Sequence, residues 1–158
     1  MRLSNPPEGQ LYGGISDIAF TGTREGLTKE QRRSLRWLIR QMDAERFHHG
    51  DCMGADAEAA KVASASGCAV LKYPSTSKTR AYSPIGKCVQ EPKDPLERNK
   101  DIVLAGDCLI ACPRGMEEER RSGTWAAVRY ARGQDYLIWY VWPDGSLTGP
   151  QDDWQPST

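Results

Sequence analysis

Five short apolar runs divide the chain, and the segments between them carry helical rather than strand spacing. DIAFTG (Asp17 to Gly22), RFHHG, CAVLKYP, DCLIACP and YLIWYVW (Tyr136 to Trp142) are too short for stable helices and are bounded by turn residues, so they read as buried strands. Thr28 precedes KEQRRSLRWLIRQM, in which Leu35, Leu38, Ile39 and Met42 recur at helical spacing, and Gln31 three residues after Thr28 completes a capping box. AEAAKVASAS, ended by Gly67, LERNKDIVLAG and GTWAAVRYARG read as further helices. Parallel strands cannot be joined by tight hairpins, so this alternation implies a sheet wound with right-handed crossovers and covered on both faces. The expected class is α/β, a Rossmann-like three-layer sandwich with a mainly parallel sheet of about five strands. The tail PDGSLTGPQDDWQPST carries a turn signal at Pro143-Asp144-Gly145 and room for one short hairpin strand.

The alternation occupies residues 17–142, which we read as a single domain. Residues 1–16, rich in Pro and Gly, are expected to form a flexible arm, and 143–158 a short extension. From Ser75 to Pro95 the chain is polar and contains Pro84, Pro92 and Pro95, which reads as a long loop.

With 21 Lys and Arg against 21 Asp and Glu, the formal charge is zero, which removes any general attraction for nucleic acid or an anionic membrane. No apolar stretch approaches the roughly 20 residues that cross a bilayer, and MRLSNPPEGQ has no signal-peptide core, so a cytoplasmic location is expected. Five cysteines without a CxxC pair read as free thiols. A metal site from His48, His49 and Cys52 is disfavoured because adjacent strand residues point to opposite faces. Neither metal nor cofactor is expected.

In a doubly wound sheet, ligands bind beyond the carboxyl ends of the strands. Three turns there suit an anion. In the first, Gly22 permits close backbone approach, Thr23 offers a hydroxyl and Arg24 a planar cationic fork. The second, Gly50-Asp51-Cys52-Met53-Gly54-Ala55-Asp56, is a glycine-flanked turn feeding a helix, where free amides and the helix dipole favour phosphate. Asp51 there suits a ribose or base, and Asp56 either a ligand or the first helical turn. The third, Ser122-Gly123-Thr124, is hydroxyl-rich at a helix start, followed by Trp125, which can stack on a base or pack in the core.

Those residues carry a resemblance. GTR after the first strand, HGDCMGAD after the second, YPS (with Pro74 and Ser75) after the third, Arg98-Asn99 before the fourth and SGTW after it resemble the SLOG superfamily. This Rossmann-like group includes the DNA-processing protein DprA, the Lonely-guy phosphoribohydrolases and the YpsA- and YspA-like proteins. The resemblance spans roughly Asp17 to Trp142. It implies a pocket for a nucleotide-derived ligand, with phosphate near Gly22 to Arg24, Gly54 to Asp56 and Ser122 to Thr124, and with Arg98 and Asn99 reaching in. It also implies a homodimer, which Trp37 and the aromatic run around Trp139 support. Lonely-guy enzymes carry PGGxGTxxE, whose Glu helps cleave the N-glycosidic bond; the matching position here is Ala127, and MEEERR separates Pro113-Arg114-Gly115 from Ser122.

The favoured function is therefore binding of a nucleotide or an NAD-derived molecule of the ADP-ribose type, as a sensor or sequestering protein. The alternative is a hydrolase splitting base from a nucleoside 5′-monophosphate, with Asp51 and Arg98 as catalytic candidates and Glu119 as a substitute acid or base. DNA binding like that of DprA is disfavoured by the neutral charge.

Overall fold

The computed structural model describes residues 13–150 and 152. Strand β1 (Asp17–Gly22) leads through helix α1 (Lys29–Met42) to β2 (Arg46–His49), and α2 (Ala55–Ala65) connects to β3 (Ala69–Lys72). A two-residue strand β4 (Lys87–Cys88) precedes α3 (Pro95–Ala105), β5 (Cys108–Cys112), α4 (Gly123–Gly133), β6 (Leu137–Val141) and β7 (Leu147–Thr148). The sheet order is β4-β3-β2-β1-β5-β6-β7, parallel throughout except for the antiparallel pair β6 and β7.

Seven strands replace the expected five or so. β7 is the anticipated hairpin strand. β4 lies within the segment read as a loop; Lys87 and Cys88 pair with Leu71 and Lys72, yet both are exposed, so no alternating apolar pattern marks them. That loop is therefore partly built into the sheet, with Ser75 also bridged to Lys93.

The two faces of the sheet carry separate cores. Ile18, Phe20, Phe47, Val70, Ile110 and Val141 pack beneath α1 and α2, where Leu35, Leu38 and Ile39 are fully buried. Each such side chain contributes about 1.5–3 kcal/mol relative to exposure. Leu109, Ala111, Ile138 and Tyr140 pack beneath α3 and α4. The Thr28 capping box forms as the sequence implies: Thr28 Oγ1 accepts the Gln31 N–H at 2.9 Å, and Gln31 Oε1 accepts that of Thr28 at 3.1 Å. The buried Gln31 amide also donates to Pro113 O and Val141 O, tying the start of α1 to the ends of β5 and β6.

Ile15 belongs to the core, and Ser16 O accepts from Glu45 and Arg46, so these two residues of the expected arm are tied to the domain; residues 1–12 lie outside the described part. The turn after β6 rests on α1, with Pro143 O accepting from Thr28 and Gly145 O from Ser34. Trp139 is buried within this one chain and Trp37 packs against the same core, so the aromatic residues invoked for a homodimer already have partners. Among the described residues no helix is long and apolar enough to cross a membrane.

Candidate functional site

The chain runs outward from β1 in one direction to β4 and then returns to place β5 on the other side of β1, so the crevice above β1 and β5 is the switch point of the sheet. A cavity of about 540 Å³ opens there. Phe20, Leu109, Ile102, Leu96 and Ala127 form its apolar side. Its polar side comes from five segments: Gly22, Thr23 and Arg24; Gly50, Cys52 and Asp56; Ser77 and Thr79; Arg98 and Asn99; and Ser122, Gly123 and Thr124.

The glycines of the second turn are joints. A Cβ at Gly50 would collide with the Arg98 guanidinium, one at Gly54 with the Thr23 and Arg24 carbonyls, and one at Gly22 with the Ala55 methyl at 2.6 Å. Gly54 also needs its φ of +89°, where L side chains are strained. Three amides of this turn are already engaged: Met53 N–H donates to Thr79 O, Ala55 N–H to Thr23 O and Cys52 N–H to Asp56 Oδ2, at 2.8, 2.9 and 3.1 Å. The expectation of free amides at this turn is therefore corrected for Cys52, Met53 and Ala55. Short strands bring the helix start so near the first turn that the two bond to each other.

Asp51 is likewise corrected as a ribose contact and catalytic candidate. It is fully buried at φ 55°, does not line the cavity, and accepts from Ser83 N–H at 3.0 Å and from Arg80 Nε at 3.2 Å. Its own N–H donates to His49 Nδ1, whose ring burial pushes down to a pKa of about 4 and so keeps neutral. Asp51 thus pins the 75–95 segment to the turn. Met53 is exposed away from the cavity, while Ala55 is buried under Gly22. Pro74 and Ser75 sit behind the wall: Pro74 O accepts from Lys93 N–H, and Ser75 Oγ accepts from Ser77 N–H. Ser77 and Thr79 take their place; the hydroxyl-rich run STSKT was the signal for them.

At α4, Ser122 caps the helix by accepting the Trp125 N–H at 3.2 Å. The next two amides, of Gly123 and Thr124, have no intrahelical acceptor, and nothing lies within 4 Å of a Cβ built on Gly123. Helical spacing points Thr124 and Ala127 into the cavity, but Trp125 and Val128 into the core. Trp125 stacks on Tyr140 at 6.0 Å, so its packing role is the one realised. Ala127, at the position of the Lonely-guy Glu, presents only a methyl.

Arg98 dominates the electrostatics. Only 5% exposed, it donates from Nη1 to Gly50 O (2.7 Å) and Tyr73 O (3.0 Å), from Nε to Asn99 Oδ1 (3.0 Å) and from Nη2 to Cys52 Sγ (3.5 Å). All four acceptors are neutral. Beside it, burial pushes the Asp56 carboxyl up to about 6 and raises the Cys52 thiol as well. At the mouth, Arg24 and Arg121 make no side-chain hydrogen bond or salt bridge among the described residues, while Arg114 bonds Glu119 from Nε and Nη2 and Glu25 from Nη1 (3.1 Å). Sequence reading missed Arg114 and Arg121 as lining residues, although PRG directly after β5 marks a chain leaving the sheet at the crevice.

His48 and His49 do point to opposite faces: His48 bonds Asp17 and Tyr73, on the side away from Asp51.

No protein-family model and no curated protein matches the chain. Among solved structures, it is similar to the molybdenum cofactor binding protein from the phototrophic bacterium Rippkaea orientalis, with a TM-score of 0.62, 19% identity, and 80% of this chain and 76% of that one covered. It is also similar to DNA processing protein A (DprA) from Streptococcus pneumoniae, with a TM-score of 0.58, 17% identity, and 80% of this chain and 50% of that one covered, so it spans half of the DprA chain. The structural genomics target TM1055 matches with a TM-score of 0.58, 15% identity, and 78% and 72% covered. With these structures the chain shares a Rossmann-like α/β fold.

Proposed function

We propose that the crevice captures a small phosphate-bearing molecule, a nucleotide or an NAD-derived species of the ADP-ribose type, and that the protein acts as a sensor or sequestering module. The observation that carries this reading is Arg98. A guanidinium this buried normally sits against a carboxylate, yet no salt bridge to Arg98 forms within 4.0 Å among the described residues, and its face opens on the cavity. An anionic ligand supplies the missing counter-charge. Arg24 and Arg121, the hydroxyls of Thr23 and Thr124 and the free amides of α4 supply further donors around the same space. The apolar wall of Phe20, Ile102 and Leu109 suits a base.

Capture is preferred to turnover because Ala127 offers no carboxylate at the Lonely-guy position, Asp51 lies outside the cavity and Glu119 and Glu25 are held by Arg114; Asp56 is the lining carboxyl left to a hydrolase. Calorimetry with ADP-ribose, AMP and NAD tests the reading. Arg98→Met should weaken binding by at least about tenfold, the worth of one charge-assisted hydrogen bond; unchanged affinity refutes it. Chromatography of the same mixtures should find no free base, and released base replaces capture by N-glycosidic hydrolysis. A homodimer belongs to the same reading, supported by the exposed Leu96 and Leu104 on α3; light scattering at monomer mass removes it.

A further inference from the structure

An anion in this crevice meets one carboxyl of its own sign. Asp56, the second residue of α2, is 5% exposed and lines the cavity floor next to Arg98. Its Oδ2 accepts the Cys52 N–H at 3.1 Å, and among the described residues it makes no salt bridge within 4.0 Å. Arg98 on α3 attracts its charge from a distance, while Asp51 in the same turn opposes it. The other titratable groups facing it are the thiols of Cys52 and of Cys112 on β5, which burial keeps protonated at neutral pH. Among the described residues Arg98 is the cation that offsets the Asp56 charge, and a phosphate settling on Arg98 must share it with the carboxyl. The carboxyl is also held by backbone donors at the rigid start of a helix, so it cannot swing away.

We infer that Asp56 takes up one proton from solvent when an anion binds, and that the resulting carboxylic acid donates a hydrogen bond to a ligand oxygen. The inference rests on the capture reading above. Burial already brings the unliganded carboxyl up to about 6, so the proton lies within reach near neutral pH. A carboxyl kept neutral by its surroundings is a proven donor to developing or fixed negative charge. Linkage sets the sign: if the proton is bound only in the complex, affinity falls as pH rises above about 6, by about tenfold per pH unit.

The test uses ADP-ribose, whose diphosphate diester has no group titrating between about pH 5 and 9, so a proton taken up belongs to the protein. Titrations at pH 7.5 in two buffers of different ionisation enthalpy should show uptake approaching one proton per ligand, and Kd should rise about tenfold from pH 7 to 8. Asp56→Asn should bind with no uptake and a flat pH profile. Clear wild-type binding without uptake overturns the inference while leaving capture intact, and this comparison does not depend on the variant folding. Uptake that persists in Asp56→Asn overturns it too. If wild-type protein binds neither ADP-ribose nor AMP at any pH, the capture reading fails and this inference with it.

Discussion

The Arg98 guanidinium occupies the space that a side chain on Gly50 would fill: a Cβ there would lie 2.7 Å from Cζ and 3.2 Å from Nε. Gly50 is not in the left-handed region, so its backbone tolerates alanine and only the collision decides the outcome. Gly50→Ala should destabilise the protein by about 1–3 kcal/mol, the usual effect of overpacking, and displace the cation from the cavity floor. In an Arg98→Met background the shorter, uncharged chain can yield, so the same substitution should cost about 1 kcal/mol less. A double-mutant cycle by urea denaturation measures that coupling. Equal costs in both backgrounds would mean that Gly50 is needed for some other reason.

This pair also shows where sequence reading stops. The elements were legible because each is announced locally: Leu35, Leu38 and Ile39 by period, Thr28 and Gln31 by a cap, Pro74 and Gly67 by breaking what precedes them. The crevice was legible because strand order alone fixes where a switch point falls. The use of each turn residue was not, because Gly50 answers to an arginine 48 positions away and Asp51 to Ser83, 32 positions away. A glycine that admits a distant side chain and a glycine that admits a phosphate look identical in sequence. β4 is silent for a related reason, since it is held by pairing with Leu71 and Lys72 and by a bond from Arg80 to Cys88.

The Asp51 carboxylate holds the 75–95 segment against the turn through Ser83 N–H and the Arg80 guanidinium, and its main-chain carbonyl accepts from Ala81 N–H. Asp51→Ala removes both acceptors from a fully buried position and strains a residue at φ 55°, so a loss of about 3 kcal/mol is expected. Asp51→Asn, whose side chain tolerates the left-handed region, should retain part of this. Hydrogen exchange should report faster exchange at Ser83 and Ala81, whose amides bond Asp51, in the alanine variant. Unchanged protection there would show that the segment is held by other contacts.

Asp17 accepts from Arg46 Nε at 2.6 Å and from His48 Nε2 at 2.8 Å, and the Arg46 guanidinium holds its carboxyl below the usual range. The folded value is depressed, so the stabilisation is present above the unfolded value of about 3.9 and is lost as pH falls below it. Wild-type protein should therefore lose more stability than Asp17→Asn on acidification from pH 5 to 3. Chemical denaturation at several pH values checks this, and parallel profiles would show that the ion pair adds nothing net.

Arg114 spans the mouth of the crevice between Glu119 on one side and Glu25 on the other, and both carboxylates compete with any ligand phosphate for its fork. Arg114 and Glu25 are solvent-exposed and Glu119 is partly so, so breaking the bridge should barely alter stability, within about 0.5 kcal/mol. Binding should respond more. Glu119→Gln removes a negative charge and frees Arg114 to join Arg24 and Arg121, so a diphosphate ligand should bind severalfold more tightly at low salt. The gain should shrink as ionic strength rises past about 0.15 M, where screening shortens the reach of exposed charges to about 8 Å. On the capture reading the single phosphate of AMP would meet Arg98 and the start of α4, so AMP should gain less than ADP-ribose. Calorimetry with both ligands at two salt concentrations decides it: equal gains for AMP and ADP-ribose would mean that Arg114 merely adds to the general field, and no gain for either would place the phosphates beyond its reach.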